Sequence, residues 1–175
     1  MKPIIESKRL FLRELKLSDT LELAEILSDK ESMKYYPRPF SKVEVEKWII
    51  RNIESYEEHK HGLWAVISKE DNIFLGDCGI TIQAIDGDLL PELGYHIKRQ
   101  YCNKGFASEA AKECIKYAFE ILNLETLYSY TNIENEPSIR VAKKNGMEYI
   151  KSFEKKILGE TVNEVLYSIG KQKNL

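Results

Sequence analysis

The stretch that decides the fold is YCNKGFASEA, residues 101–110, which joins a strand-like run ending near Lys98 to a strongly helical run beginning near Gly105. The first turn of a helix carries backbone N–H groups without intrahelical partners and the positive end of the helix dipole, so it can hold an anion such as a phosphate. Gly105 has no Cβ to keep an anion from the backbone, Ala107 has only a methyl group, and Ser108 adds a hydroxyl donor. The stretch therefore predicts a phosphate-binding loop, the alternative being an ordinary loop with a glycine near a helix start.

The flanking elements alternate between strands and helices. Residues 9–15 alternate apolar and polar side chains as a half-buried strand does, and helical spacing follows, most clearly over 42–58. Short runs rich in Ile and Val over 63–98 predict three antiparallel strands. After the helix that follows the loop, the pattern predicts a strand, a short helix ended by Gly146, and two final strands. We therefore predict an α/β fold over 1–175 as one domain, with about four helices around a mixed, mostly antiparallel sheet of about seven strands.

The composition excludes several classes of function. With 175 residues and 43% hydrophobic content, the chain is long enough for one domain with a sizeable core. A net charge of -2 gives no global attraction to nucleic acid or acidic membranes, no apolar run approaches the length of a membrane helix, and Glu6 comes too early for a signal peptide. Cys78, Cys102 and Cys114 show no paired spacing, so neither a disulfide framework nor a metal site is expected. We expect a cytoplasmic protein without nucleic-acid or membrane partners.

Five further motifs point to one family. They are ESKRLFLR (6–13), DKESMKYY (29–36), ELGYHI (92–97), NEPS (135–138) and KNGM (144–147). Together with the loop they resemble the GNAT acyltransferases, in the branch that contains the RimJ and RimL ribosomal-protein N-acetyltransferases. The resemblance covers nearly the whole chain and implies the GNAT fold, acetyl-CoA as co-substrate and an amine as acetyl acceptor. A protein N-terminal amine, a polyamine and a small amino compound all stay open as acceptors, and so does a homodimer.

The resemblance also implies which residues bind acetyl-CoA. Backbone amides carry most of the phosphate binding in such loops, although Cys102 stands where the superfamily usually has Gln or Arg and Asn103 where this branch commonly has glycine. Gly94 would let its strand bulge and splay from a neighbour, which frees N–H groups for the thioester carbonyl and the pantetheine amides. Asn135 would either hydrogen-bond the pantetheine arm of acetyl-CoA or only stabilise its own turn. The expected cofactor-binding residues are Tyr95, His96, Ile97, Cys102, Asn103, Lys104, Gly105, Phe106, Ala107, Ser108, Asn135 and Lys144.

Two residues are candidates for proton transfer. Glu92 resembles an acidic residue that several family members place beside the acceptor amine, and with an ordinary pKa near ~4.3 it must be desolvated, or act through water, to serve as a base. The alternative is a solvated carboxylate at a strand edge. Ala142 stands where many members have a tyrosine acid, so Ser138 becomes the candidate that assists the leaving thiolate, unless it only caps or packs its helix. His96 should point to the face opposite Tyr95 and is not taken as a base.

The acceptor pocket is expected beside the first helices. The linker YYPRP, residues 35–39, cannot be helical because it holds two prolines, and it opens with Tyr35 and Tyr36. With Trp64 and Tyr167 these tyrosines are candidate pocket walls, or else core residues.

Two alternatives concern the reaction itself. Cys102 has no histidine at a spacing that would activate it, so direct transfer in a ternary complex is favoured over a covalent acyl-enzyme. Because Cys102 and Ala142 depart from the family pattern, a CoA-binding module with little or no catalysis is the alternative function.

Overall fold

The computed structural model of the protein describes residues 3–171. Its strands are β1 (Ile5–Glu6), β2 (Leu10–Glu14), β3 (Leu63–Ser68), β4 (Phe74–Ile85), β5 (Asp88–Ile97), β6 (Thr126–Asn132), β7 (Glu148–Ile157) and β8 (Glu160–Gly170). Its helices are α1 (Thr20–Leu27), α2 (Lys42–His59), α3 (Phe106–Glu120) and α4 (Glu136–Lys144). None of the helices within this described range is long and apolar enough to cross a membrane.

One sheet contains all of these strands, in the order β1-β2-β3-β4-β5-β6-β8-β7. Neighbouring strands are antiparallel except β5 and β6, which run parallel. The predicted α/β fold with a mixed, mostly antiparallel sheet and four helices is confirmed, with eight strands rather than about seven. The additional strand, β1, has two residues, and pairs through Ile5 with Leu12. An element this short shows no periodicity in the sequence.

The two faces of β5 have different surroundings. Leu93, Tyr95 and Ile97 belong to or pack against a core that also contains Ala110 and Cys114 of α3. His96 lies on the opposite face, where its ring is 5.8 Å from the ring of Trp48 in α2. Successive strand residues point to opposite faces, so Glu92 shares the face of His96. The expectation that His96 and Tyr95 point apart is confirmed.

The pairing of β5 differs on its two edges. Along β4 the register is continuous from Gly76↔Ile97 to Ile85↔Asp88, and Gly79↔Gly94 lies within it, so the predicted bulge at Gly94 is wrong. Along β6 the regular parallel pairing is confined to Glu92↔Tyr128. Beyond that point Ser129 Oγ donates to Leu93 O at 2.9 Å in place of a backbone ladder. The predicted splay is therefore present, but it arises between β5 and β6 without a bulge.

Candidate active site

The loop between β5 and α3 has the backbone shape of an anion site. A 3-10 turn over Arg99–Tyr101 leads to Asn103 with φ 60° and to Gly105 with φ 83°, and Gly105 precedes the first residue of α3. Both left-handed conformations suit their residues, since Asn tolerates positive φ and Gly has no Cβ. Among residues 3–171, no side chain caps the start of α3. The N–H groups of its first turn are therefore available to a ligand.

Arg9, which was not among the predicted site residues, holds this loop. Its Nη1 donates to Lys104 O at 3.0 Å, its Nε donates to Glu109 Oε2 at 2.6 Å, and its guanidinium lies 4.4 Å from the centroid of the Phe106 ring. Ser7 Oγ donates to Glu109 Oε1 at 2.8 Å. The turn between β1 and β2 thus fixes the first turn of α3. Local periodicity cannot reveal contacts between positions this far apart in sequence.

The predicted loop residues fall into two groups. Cys102, Asn103 and Lys104 are exposed, whereas residues 105–108 are half-buried. The Cys102 thiol faces back toward the strand end, with its Sγ 3.6 Å from Ile97 O. Burial raises the pKa of Cys102, which disfavours the thiolate that a covalent mechanism needs. Lys144, the remaining predicted phosphate ligand, is exposed in the last turn of α4, and its role stays a prediction.

Glu92 is buried, at 8% exposure, in the central strand β5, so the alternative of a solvated strand-edge carboxylate is wrong. Thr81 Oγ1 donates to Glu92 Oε2 at 3.2 Å, and Gln83 Nε2 donates to Thr81 Oγ1 at 3.2 Å. Desolvation raises the pKa of Glu92 to about 7, against the lowering effects of the Thr81 hydrogen bond and the His96 charge. A Cβ at Gly94 would lie 3.3 Å from Leu63 Cδ2 and in ordinary contact, at 3.4 Å, with Glu92 Oε2.

His96 is held by a polar network on the same face as Glu92. Its Nδ1 lies 2.7 Å from Asp77 Oδ1, its Nε2 lies 3.1 Å from Tyr36 Oη, and Trp48 Nε1 donates to Asp77 Oδ2 at 3.2 Å. Burial lowers the pKa of His96, but the charge and hydrogen bond of fully buried Asp77 outweigh it and leave the pKa raised. Both ring nitrogens are engaged, which makes His96 a positioning residue for Tyr36 rather than a free base.

The predicted pocket tyrosines lie over this face, but Trp64 does not. Tyr36 reaches His96, and Tyr35 O accepts from Asn132 Nδ2 of β6 at 3.4 Å. Trp64 is 1% exposed and its ring packs 5.2 Å from Tyr117 of α3, so it belongs to the core on the other side of the sheet. Tyr167 is likewise buried in that core. The predicted wall positions of Trp64 and Tyr167 are wrong, since alternation along their strands turns both away from Glu92.

Ser138 is hydrogen-bonded to Tyr95 across the gap between β5 and α4. Its Oγ donates to Tyr95 Oη at 3.2 Å, and Tyr95 Oη donates to Ser138 O at 2.8 Å. Asn135 Oδ1 accepts from Ser138 N at 3.3 Å and caps α4, while Asn135 Nδ2 donates to Thr131 Oγ1 at 3.0 Å. Asn135 therefore orders its own turn, and its contact with pantetheine stays a prediction. Burial raises the pKa of Tyr95, which keeps this hydroxyl protonated.

Two more residues on the face of Glu92 were not found from the sequence. Tyr130 of β6 lies 6.0 Å from the Phe153 ring, centroid to centroid, and its Oη is 3.4 Å from Gln83 Oε1. Glu164 of β8 is 3% exposed. Burial raises the pKa of Glu164 to about 7, and Lys155 lowers it. The negative charge of Glu164 in turn raises the pKa of Glu92 and of Tyr130.

Comparisons with known proteins agree with this geometry. The family described as "Acetyltransferase (GNAT) domain" matches residues 9–148. YnaD of Bacillus subtilis, described as an uncharacterized N-acetyltransferase, is 33% identical over 82% of this chain and 81% of its own. A GNAT-family acetyltransferase structure from Bacillus anthracis has a TM-score of 0.78 at 30% identity, and covers 95% of this chain and 97% of that one. RimL in complex with coenzyme A, at 16% identity, has a TM-score of 0.78 over 97% of this chain and 98% of its own, and shows the same fold.

The chain belongs to the GNAT acetyltransferase family and is an acyltransferase. Enzymes of this family use acetyl-CoA.

Proposed function

We propose that the protein transfers the acetyl group of acetyl-CoA to a primary amine directly, in a ternary complex, with Glu92 as the general base. The observation that carries the proposal is the burial of Glu92 at 8% exposure with a pKa of about 7. A base works best when its pKa lies near the working pH. Glu92 stands at the last paired position before β5 and β6 separate, where an acyl donor lying between the strands would reach an acceptor on the Glu92 face.

The start of α3 is the fitting place for the phosphates of acetyl-CoA. Its uncapped N–H groups and the left-handed Gly105 give an anion direct access to the backbone. Arg9 braces the loop through Lys104 O and also supplies positive charge close by. The unpaired edge of β5 beyond Glu92 offers backbone groups to an amide-containing chain, in keeping with the predicted roles of residues 95–97.

The proton transfers follow from this placement. The amine nitrogen forms a bond to the thioester carbonyl carbon, its proton passes to Glu92, and the carbon–sulfur bond breaks as the tetrahedral intermediate collapses. As the sulfur departs, the Ser138 hydroxyl turns from Tyr95 Oη, to which it donates in the structure, and gives its proton to the sulfur, and water returns a proton to Ser138. Tyr95 thus holds the Ser138 hydroxyl in place before the transfer.

A pH–rate profile of Glu92→Gln tests the proposal. For the wild type, CoA release with a verified acceptor should fall on the acidic side with an apparent pKa of about 7. Glu92→Gln should lower kcat by ~10²- to 10⁴-fold, remove this limb and leave the Kd for CoA unchanged. Wild-type turnover by the variant at every pH would show that the amine loses its proton to solvent and would refute the role of Glu92.

A further inference from the structure

Glu164 is an anomaly in the polar interior of this protein. Among residues 3–171, its Oε2 is the buried side-chain oxygen without a hydrogen-bond partner, and the residue is 3% exposed. The other buried acids accept hydrogen bonds: Asp77 contacts His96 and Trp48, Asp19 accepts two hydrogen bonds from Arg13, and Glu92 accepts one from the Thr81 hydroxyl. Burying a carboxylate without a partner is strongly unfavourable. This oxygen could accept from a cation or a donor that residues 3–171 do not provide.

Lys155 does not fill this role. Its charge lowers the pKa of Glu164, yet the two residues form no ion pair within 4.0 Å among the described residues. The Lys155 ammonium instead donates to Ala84 O at 2.6 Å and lies 4.7 Å from the centroid of the Tyr130 ring. Its position does show that the aromatic wall beside Glu164 accommodates an alkylammonium, as the electron-rich face of a tyrosine does.

The vacant oxygen lies on the same face of the sheet as the proposed base. Glu92 is in register with Tyr128 of β6, and Glu164 with Asn132, four residues further along the same strand. This offset corresponds to roughly 13 Å along the strand, so the two glutamates occupy separate backbone positions on one face. Glu164 is paired with Phe153 of β7, whose ring centroid lies 6.0 Å from that of Tyr130, and the charge of Glu164 raises the pKa of Tyr36, Tyr130 and Glu92.

We infer that Glu164 is a specificity-determining residue that binds a second cationic group of the acceptor, so that the enzyme prefers diamines and longer polycationic amines over monoamines. One amino group lies at Glu92 and loses its proton there, while the other stays an ammonium and pairs with Glu164 Oε2 beside the rings of Tyr130 and Phe153. This inference rests on the proposed function and deepens it.

The preference for diamines over monoamines should depend on pH. Burial raises the pKa of Glu164 to about 7, and Lys155 opposes this rise. Four charged or titratable groups surround Glu164. Lys155 on β7 is basic, and the three acidic ones are Glu92 on β5, Tyr130 on β6 and Tyr36 on the linker. Glu164 gains its charge as pH rises through about 7, so discrimination in favour of a second ammonium should increase over that range. Ionisation of Glu92 affects both kinds of acceptor and cancels in the ratio.

The test compares linear α,ω-diamines of increasing length with primary monoamines of matched length. We expect the wild type to prefer its best diamine by ~10-fold or more in kcat/KM, as for one charged contact in a shielded site. Glu164→Gln should bring the ratio close to one, chiefly through the KM for the diamine. Glu160→Gln, which removes the same charge from an exposed position on β8, should keep the wild-type ratio. An equal preference in wild type and Glu164→Gln would overturn the inference.

A binding measurement separates this inference from the proposed function. The best-binding diamine should raise the Tm of the wild type and of Glu92→Gln, but not that of Glu164→Gln. If no amine is acetylated but the diamine still raises the Tm of the wild type and not that of Glu164→Gln, the proposed function fails and the cation site stands. If amines are acetylated but no diamine raises the Tm of the wild type more than its matched monoamine does, the proposed function stands and the cation site is overturned.

Discussion

Glu92 and Glu164 are both buried, and neither forms an ion pair among residues 3–171, so their burial should reduce the stability of the protein. Both carboxyl pKa values are raised to about 7, chiefly by desolvation. The folded protein therefore binds more protons than the unfolded chain between the ordinary carboxyl pKa and about 7. Stability from these groups is fully present below the unfolded pKa and is lost as pH rises through about 7. A chain selected for stability alone would place neutral residues here.

The first prediction follows from the direction of these pKa shifts. Glu164→Gln should raise the free energy of unfolding above pH 7 by up to on the order of 3 kcal/mol, and should have little effect below the ordinary carboxyl pKa. Denaturant unfolding at several pH values measures this difference, with the exposed Glu160→Gln as control. A variant that is less stable than the wild type at high pH would mean that Glu164 makes favourable contacts in the folded state.

The second prediction concerns the hydrogen-bonded hydroxyls of Ser138 and Tyr95. Ser138→Ala should slow the chemical step without moving the acidic limb that Glu92 sets, and the loss should shrink with a thioester whose leaving thiol is more acidic. Tyr95→Phe is the matched variant, because it removes the hydroxyl bonded to Ser138 Oγ at 3.2 Å. If the losses of turnover in Ser138→Ala and Tyr95→Phe are additive in the double variant, the two hydroxyls do not act as a unit.

At the scale of elements, the cofactor site proposed at α3 depends on the backbone conformation where this helix begins. Gly105 has φ 83°, and a Cβ there would lie 3.4 Å from Arg9 Nη2. Gly159, in the turn between β7 and β8, has φ 86°, and a Cβ there would meet nothing within 4 Å. An alanine costs about 1–2 kcal/mol of backbone energy at either position. Only Gly105 adjoins the N–H groups proposed to hold the phosphates.

The third prediction uses this pair of glycines. Gly105→Ala should weaken CoA binding by ~10-fold or more, because the added Cβ obstructs an anion beside the N–H groups at the start of α3 and the left-handed φ strains the loop, whereas Gly159→Ala should bind CoA as the wild type does. Calorimetric titration with CoA measures both, and thermal unfolding checks that the two variants lose similar stability. Equal CoA affinities in the two variants would place the phosphates elsewhere.

Sequence patterns predicted the elements of this site better than their contacts. The strand–loop–helix unit around Gly105 and the opposite directions of Tyr95 and His96 follow from local spacing, which is a short-range property. The bulge at Gly94 was wrong because strand separation depends on β6, which pairs from a distant part of the chain. Asp77 within the apolar run FLGDCGI and Glu164 before VLY were readable as charges in buried strands. The partners of Asp77 were not readable, since register between distant strands does not show in the local sequence.

For the whole molecule, the sheet order brings the pieces of the site together. β5 lies between β4 and β6, and β8 pairs with β6, so residues far apart in sequence share one face. The helices α1 and α2 and the linker of 35–39 lie on this face, while α3 and α4 lie on the other. An acyl donor bound at α3 and an amine bound beside Glu92 would therefore approach from opposite sides and meet where β5 and β6 separate.

The most direct test of the central claim is a mass-spectrometric screen with acetyl-CoA against diamines, monoamines and peptides with free N-termini. The account predicts that an amine gains one acetyl group for each CoA released, that the protein itself gains none, and that diamines lead the panel. CoA that stabilises the protein thermally while no acceptor gains mass would contradict the claim and favour a CoA-binding module. An acetyl group retained on the protein would contradict direct transfer.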